Sequence, residues 1–320
     1  IRTLPGELFS KSEIIRTVRE LAQLGHFDPE KIEPSPVPNP ADGTVDIQYN
    51  LQERSNDQLE ISGGWGAGML VGTIGIRFSN FSARSMFDPK AWRPIPSGDG
   101  QTLAIRAQSN GTIYRSYSIS FVEPWLGGKK PNSLSVSLYN SKYRNARYDY
   151  FSNRYTQQDK GFMSISGVSV GLGRRLSWPD DFFTLYNEIS FQNYTLDNYK
   201  GYFSLLQNNG VSNNFSVNTT FGRNSVDQPI YPRKGSNFAL TLAITPPYSL
   251  ISGKDFTGAP QSEKYKWIEY YKWSFKAEWY MNLVDKLVLF TRGQFGFKGY
   301  YNKSIGQSPF EGFYVGGDGM

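Results

Sequence analysis

The sequence predicts a small α+β module followed by a transmembrane antiparallel β-barrel, and three observations carry that prediction. In the stretch from Trp267 to Leu283, one parity holds Trp267, Tyr271, Trp273, Phe275, Ala277, Trp279, Met281 and Leu283, broken only by Glu269. The other parity, Ile268, Tyr270, Lys272, Ser274, Lys276, Glu278, Tyr280 and Asn282, is mostly polar. The period is therefore two, and the run far exceeds the ~5 to 6 residues of an ordinary strand. In water so long an aromatic face would aggregate, whereas against lipid, with its polar face toward a lumen, it is stable. Alternation of the same kind recurs from about Gln58 onward. Finally, 22 Phe, 21 Tyr, 7 Trp and 32 Gly coexist with a mean hydropathy of -0.48, and no run reaches the ~18 to 20 apolar residues of a membrane helix. Without such a helix, only a closed barrel satisfies its backbone in lipid.

Residues 1 to 55 are read as the module. Ser10 and Glu13 make a capping box, Ile14, Val18, Leu21 and Ala22 form a helical stripe, and Gly25 is placed to end the helix. After the proline-rich stretch from Pro34 to Pro40, Val45, Ile47, Tyr49 and Leu51 share one parity, as in a half-buried strand. Residues 56 to 320 are read as the barrel, with strands near 58–65, 68–79, 102–110, 114–123, 132–143, 161–177, 182–194, 213–223, 236–245, 267–283 and 286–298. Each has one apolar parity, such as Leu103, Ile105 and Ala107, or Phe238, Leu240, Leu242 and Ile244. The sixth changes phase, from Met163 and Ile165 to Val168, Val170 and Leu172, which predicts a bulge near Gly167. Eleven strands conflict with the even count of a bacterial single-chain barrel, so the sequence is expected to stop before closure.

Connection lengths give the orientation, because such barrels have short periplasmic turns and long external loops. With the module in the periplasm, the long connections 144–160, 195–212 and 246–266 fall outside, and the shorter turns at 178–181, 224–235 and 284–285 fall on the periplasmic side. Phe81 to Gln101, with Asp88, Pro89, Trp92, Pro94 and Pro96, is the long exception on that side.

Other chemistry is weakly supported. The chain has no cysteine for disulfides or thiolate metal sites, and its net charge of +6 is spread over 34 basic and 28 acidic residues, which argues against nucleic acid as a partner. Gly167-Val168-Ser169-Val170-Gly171 has hydrolase spacing, yet it lies inside an alternating strand and lacks a histidine base. The single histidine, His26, belongs to the module, where it caps or packs, and leaves a zinc site too few ligands. Gly63, Gly64, Gly66 and Gly68 lack a third spaced glycine, since position 71 is Val71, and no helix follows, so a hairpin replaces a phosphate loop. The same glycines would weaken side-chain packing along a first barrel strand. Neither metal nor cofactor is expected, and the tryptophans from Trp267 onward are read as lipid contacts and interfacial girdles in preference to a stacking surface for sugars or bases.

Several motifs together carry a resemblance. Arg2, Pro5-Gly6, Phe9, Ile14 and Leu24-Gly25-His26-Phe27, then Val45-Asp46-Ile47, Tyr49 and Glu53, look like the beginning and end of a POTRA module. Asn80, Glu123-Pro124-Trp125 and the run Asp227 to Ser236, with Asp227, Pro229, Pro232, Arg233 and Gly235, look like turns that follow. Phe310, Phe313, Gly316 and Gly317 look like the approach to a sixth external loop. Over its whole length the chain resembles the BamA-like outer-membrane β-barrel assembly family. The resemblance implies a partial, C-terminal-most POTRA module in the periplasm and about eleven strands of a barrel of about sixteen, ending in that sixth loop. A Val-Arg-Gly-Phe-like motif and five more strands would follow Met320. The long 81–101 connection departs from the family and is read as an insertion facing periplasmic partners.

The function implied by the resemblance is non-enzymatic assembly and insertion of β-barrel proteins into the bacterial outer membrane. The first strand, Gln58, Leu59, Glu60, Ile61, Ser62, Gly63, Gly64 and Trp65, would be the client-pairing edge and lateral gate. Partners would be unfolded outer-membrane proteins, accessory lipoproteins or other complex subunits, and the lipid bilayer. A polypeptide translocator of the TamA or two-partner secretion kind is the alternative within the family. A passive porin or the barrel part of a surface enzyme is the alternative of another class.

Overall fold

A computed structural model describes the chain apart from residues 25–26, 53–56, 67–68, 93–94, 129–131, 152–153, 201–207, 229–230 and 314–320. Its contacts divide it into two compact units, Ile1–Leu59 with Ile76–Leu103, and Glu60–Gly75 with Ala104–Met320. The expected boundary at residue 55 does not coincide with this division, because the first unit also takes in the ends of barrel-type strands and the 81–101 connection.

In the first unit, α1 spans Lys11–Leu24. Ser10 Oγ accepts the Glu13 N–H at 3.4 Å, which satisfies one of the free donors of the first turn. Ile14, Thr17 and Leu21 form the buried stripe, with Val18 and Ala22 half-buried beside it. Thr17 takes its place in the stripe because its Oγ1 accepts the Arg2 N–H at 2.9 Å, so its buried hydroxyl is satisfied. The predicted stop at Gly25, and His26, lie outside the described residues.

The proline-rich stretch is itself a strand: β1 (Glu33–Asn39) pairs antiparallel with β2 (Thr44–Asn50). Pro34, Pro36 and Pro38 alternate along β1 opposite Tyr49, Ile47 and Val45. Because proline has no N–H, the ladder falls to the residues between, and these positions deny donors to an incoming strand. On β2, Ile47 and Tyr49 are half-buried while Val45 and the following Leu51 are exposed, so only part of the expected buried parity is realised. The 81–101 connection is tightly hydrogen-bonded: Ser82 Oγ donates to Asp99 at 2.7 Å, the Ala83 N–H to Gln101 at 2.6 Å and the Gly100 N–H to Asn80 at 2.9 Å.

The remaining strands are β3 (Gln58–Gly66), β4 (Met69–Phe81), β5 (Gln101–Asn110), β6 (Tyr114–Glu123), β7 (Asn132–Asp149), β8 (Arg154–Arg175), β9 (Phe183–Asp197), β10 (Gly210–Asn224), β11 (Gly235–Ile244), β12 (Tyr271–Val284) and β13 (Leu287–Gly299). They form one 11-stranded sheet in sequence order from β13 to β3. Among the described residues it is open, with β3 and β13 as its edges. Its outer face exposes apolar side chains at Ile105, Ile119, Val170, Leu172, Trp273 and Trp279. The inner face is polar in its middle, with Ser212, Asn214 and Ser216 almost fully buried on β10.

Three expectations are corrected. Register runs unbroken through Gly167, which pairs with Tyr139 and Gln192, and the irregularity lies between Arg144 and Ala146. The phase change in β8 has another cause: Met163 and Ile165 face inward, joining a cluster with Tyr194, Leu196, Tyr265, Ile268, Tyr270, Ile305 and Phe310, while Val168, Val170 and Leu172 face outward. Much of the expected loop at 144–160 is a continuation of β7 and β8. Finally, β12 begins at Tyr271, not Trp267; Ile268, Glu269 and Tyr270 precede it and are 0–4% exposed. Glu269 is therefore enclosed by the loop that precedes β12, and its carboxylate accepts the backbone N–H and, at 2.8 Å, the hydroxyl of Ser249.

Gly167 and Gly171 have a packing reason. The Tyr139 ring crosses β8 over Gly167, where a Cβ would stand 2.6 Å from a ring carbon, and its hydroxyl accepts from Gln192 Nε2 at 2.7 Å. Tyr186 crosses from the other side over Gly171 to reach Ser135 at 2.8 Å. Gly167→Ala is expected to destabilise the sheet by about 1–3 kcal/mol through overpacking. Urea unfolding should show Tyr139→Ala relieving most of that loss in the double variant. Simple additivity of the two losses would contradict the crossing.

Candidate functional site

The described strand β3 is the barest in the sheet. Every residue from Gln58 to Trp65 is exposed, with Leu59 at 65%, Ile61 at 70% and Trp65 at 73%. As an edge strand next to β4, it directs alternate N–H and C=O groups away from the sheet. Side chains add little to its attachment. Cβ positions at Gly63 and Gly64 meet only Val71, at 3.9 Å, while one at Gly72 would stand 3.1 Å from the Ser62 carbonyl. Glu60 reaches over Gly75 of β4 to Arg106 of β5 at 2.6 Å. Both partners are about half exposed, at 49% and 53%, so this pair contributes at most about 1 kcal/mol. The strand is held by its ladder to one neighbour.

The turn from Asp227 to Gly235 is built around one carboxylate, although Pro229 lies outside the described residues. Asp227 Oδ1 accepts the N–H groups of Arg233 at 3.0 Å and Lys234 at 3.3 Å, and the Asp227 N–H donates to the Lys234 carbonyl at 3.1 Å. Partial burial would raise the Asp227 pKa, but these backbone donors outweigh it and hold the carboxyl below its usual range. Gly235 has φ +109, and a Cβ there would lie 2.8 Å from the Ser225 carbonyl carbon, so the position admits only glycine. The Arg233 side chain is exposed and Pro232 half-buried; of Arg233 the turn uses the backbone N–H.

Arg223, which sequence reasoning missed, organises this end of the sheet. Its guanidinium donates to Asp180 at 3.0 Å, Ser225 at 2.7 Å and Ser236 at 2.9 Å, and lies 5.5 and 5.6 Å from the ring centres of Phe182 and Phe183. It thereby joins the β8–β9 turn to the β10–β11 turn. The available signal was an arginine at a strand end, three residues beyond the Thr219-Thr220 pair, with two serines flanking the following turn.

After β13 the chain folds back onto the inner face. Phe310 is 1% exposed, its ring 4.7 Å from that of Tyr194. Glu311 accepts the Tyr194 hydroxyl at 3.1 Å, and the Lys298 ammonium donates to the carbonyls of Ser308, at 2.8 Å, and Phe310. The Phe313 ring lies under Lys272 at 4.5 Å and against Gly296, while Gly316 and Gly317 lie outside the described residues. Next to this segment is a polar chamber of about 270 Å³, lined among others by Glu188, Gln192, Asn214, Lys272 and Glu311. The three sets of expected residues therefore occupy separate places: the edge strand β3, the β10–β11 turn, and the inner face along β9, β12 and β13.

Residues 97–320 match the Omp85 superfamily domain. Over an alignment of 340 positions the chain is 24% identical to the outer membrane protein assembly factor BamA of Neisseria meningitidis serogroup B, covering 100% of this chain and 36% of that protein. The fold is similar to that of BamA from Haemophilus ducreyi lacking POTRA domains 1-3, with a TM-score of 0.56 and 18% identity over 99% of this chain and 55% of the other. It is also similar to CdiB from Escherichia coli, with a TM-score of 0.53 and 10% identity over 94% of this chain and 51% of the other. The chain thus spans about a third of the curated relative's length and about half of each solved structure's. With that match over residues 97–320 and an antiparallel meander whose outer face is apolar and inner face polar, the chain belongs to the Omp85 superfamily of outer-membrane β-barrel proteins.

Proposed function

We propose that this chain assembles and inserts β-barrel proteins in the bacterial outer membrane, with β3 as the pairing edge and lateral gate. The carrying observation is how lightly Gln58 to Trp65 is held by its own sheet: a ladder to β4, Cβ positions at Gly63 and Gly64 that meet only Val71 and, among the described residues, one half-exposed ion pair to β5. An unfolded client strand would pair its own N–H and C=O groups with those of β3. Backbone pairing supplies affinity with little demand on client sequence, as in other strand-addition complexes. Gly63 and Gly64 give a neighbouring strand few side chains to hold, so a seam there opens at small cost.

The N-terminal residues are proposed as the C-terminal-most part of a POTRA module in the periplasm, receiving clients or accessory lipoproteins. Strand addition along β1 is disfavoured by Pro34, Pro36 and Pro38, so a client or lipoprotein would meet another surface of that module. No catalytic side chain, nucleotide or cofactor enters the mechanism. A translocator of the TamA or two-partner secretion kind would pass its client through the lumen, and a porin or surface enzyme would not engage client strands at β3.

In cells, a cysteine at Ser62 is expected to trap nascent outer-membrane proteins, whereas one at Leu138, on the outer face of β7, is not. Equal yields at the two positions, or adducts only with secreted passengers, would remove the assembly reading. Depletion of the protein should also lower other outer-membrane barrels, and normal levels would contradict the role. Replacing Gly63 and Gly64 together with valine should slow client insertion several-fold while leaving the amount of folded protein unchanged, measured by pulse labelling of a client barrel.

A further inference from the structure

The connection between β4 and β5, residues 82–100, presents large apolar side chains to solvent. Phe87 is 86% exposed, Trp92 51% and Met86 41%. The backbone around them is closely bonded. Phe81 bridges Ser97 antiparallel, the Ser82 N–H donates to the Pro96 carbonyl at 3.0 Å and the Gly98 N–H to the Asn80 carbonyl at 2.9 Å, so ladder-like pairing carries on into the connection. Next, the Ser85 N–H donates to Ser82 Oγ at 3.2 Å and the Asp88 N–H to the Ser85 carbonyl at 3.1 Å. The Asp88 carboxylate then caps a short helical turn, Pro89–Ala91, through the Lys90 N–H at 3.0 Å, and the Trp92 indole N–H donates to the Met86 carbonyl at 3.0 Å. Phe81 and Pro96 are buried in this frame, while Met86, Phe87 and Trp92 stand outside it.

The place of the segment selects what covers them. Asp57, just before β3, accepts the Ser79 N–H near the end of β4 at 2.9 Å, so the connection lies at the barrel end that carries the N-terminal residues. On β4, Ile76 has the parity opposite to Gly75, over which Glu60 passes on the inner face, and is 39% exposed on the outer, lipid-facing side. The connection continues directly from that face. Ser85 is bonded to Ser82, and Phe87 follows it by two residues, at most ~7 Å of chain. The polar layer on each side of a bilayer is ~5 to 7 Å deep, which matches that reach. The other connections that the antiparallel meander returns to this end, β6–β7, β8–β9 and β10–β11, each expose a ring as well: Trp125 at 47%, Trp178 at 81% and Tyr231 at 86%. A protein partner would cover a few neighbouring turns, whereas the boundary of the bilayer meets all of them. Aromatic side chains suit that depth because their rings are apolar and their edges accept contact with headgroups.

We propose that the 82–100 connection is a membrane-interface anchor, with Met86, Phe87 and Trp92 seated where the headgroups of the bilayer meet its acyl chains. Its partner is the lipid surface, in place of the periplasmic partners expected from the sequence. Because β4 is the neighbour of the edge strand β3, fixing the end of β4 at the interface sets the depth at which that edge meets the bilayer. The anchor does not depend on client assembly, so loss of lipid contact and loss of assembly report separately.

The chain has no cysteine, so Phe87→Cys provides a single site for an environment-sensitive nitrobenzoxadiazole label. The complete protein is reconstituted in phosphatidylcholine nanodiscs. Ile105→Cys, on the outer face of β5, serves as the reference in lipid, and Asp42→Cys, in the exposed turn between β1 and β2, as the reference in water. Nitroxide lipids labelled near the headgroup are expected to quench the Phe87 label at least about twofold more than lipids labelled near the chain end. Iodide in the buffer should quench it at least about threefold less than the label at Asp42. Met86→Cys is expected to behave alike, and it decides the matter where the Phe87 variant does not fold. The proposal is overturned if iodide quenches both labels as strongly as the one at Asp42 while nitroxide lipids leave them unchanged. A surface reserved for a protein gives that result, since the nanodisc holds no partner. Quenching mainly from the chain end, as at Ile105, would also overturn it, because the segment would then lie in hydrocarbon.

Discussion

In hydrocarbon a peptide group cannot turn to water, and each unpaired N–H or C=O costs several kcal/mol. That constraint governs the arrangement of this chain more than any side-chain contact. Among the described strands, nine of eleven have a neighbour on both sides, and β3 lies at one end of the order with β4 as its neighbour. A client strand that pairs with such an edge satisfies the strand it meets and itself at once. The proposed function therefore needs no chemistry beyond the backbone, and it needs the edge to be the place where side chains interfere least.

Side-chain packing is distributed to match. Through β7, β8, β9 and β10 the inner face is cross-linked laterally, by Tyr139 and Tyr186 lying over glycines and by Ser190 to Ser216 at 2.8 Å, while at the strand ends Arg223, on the parity of Phe183 and Phe238, joins two turns. The segment carrying Phe310 and Glu311 ties β13 back to β9 through Lys298 and Tyr194. Nothing comparable reaches β3 among the described residues; its inner-face link is the Glu60–Arg106 pair, open to solvent on both partners. A sheet stiff in the middle and sparsely attached at one end can exchange a partner at that end without disturbing its register elsewhere.

Much of this was legible in the sequence because a strand between lipid and lumen writes a period of two. Phe238, Leu240, Leu242 and Ile244 mark β11 residue by residue. The pattern misleads where a strand buries both parities at different heights, and in β8 Met163 and Ile165 meet an interior cluster before Val168 to Leu172 meet the outside, which imitates a slipped register. Trp267 and Glu269 continue the parity of β12 while belonging to the loop, since alternation alone does not say where the ladder stops. Prolines concealed β1, because their cost depends on whether the missing N–H faces a partner, and at alternate edge positions it does not. Arg223 was invisible for a further reason: its partners, Asp180, Ser225 and Ser236, converge only once two turns lie side by side.

The plainness of β3 becomes a physical requirement under exchange. When one strand replaces another beside it, the number of backbone hydrogen bonds gained and lost is nearly the same, so the ladder contributes little to the difference in free energy. What remains is the side-chain term, roughly 0.2 to 1 kcal/mol for each favourable cross-strand pair. Large residues at Ser62, Gly63 and Gly64 would add several such pairs with one partner and bias the edge toward it. Small residues there keep the difference near zero for clients of unrelated sequence, so the edge both accepts a strand and lets it go.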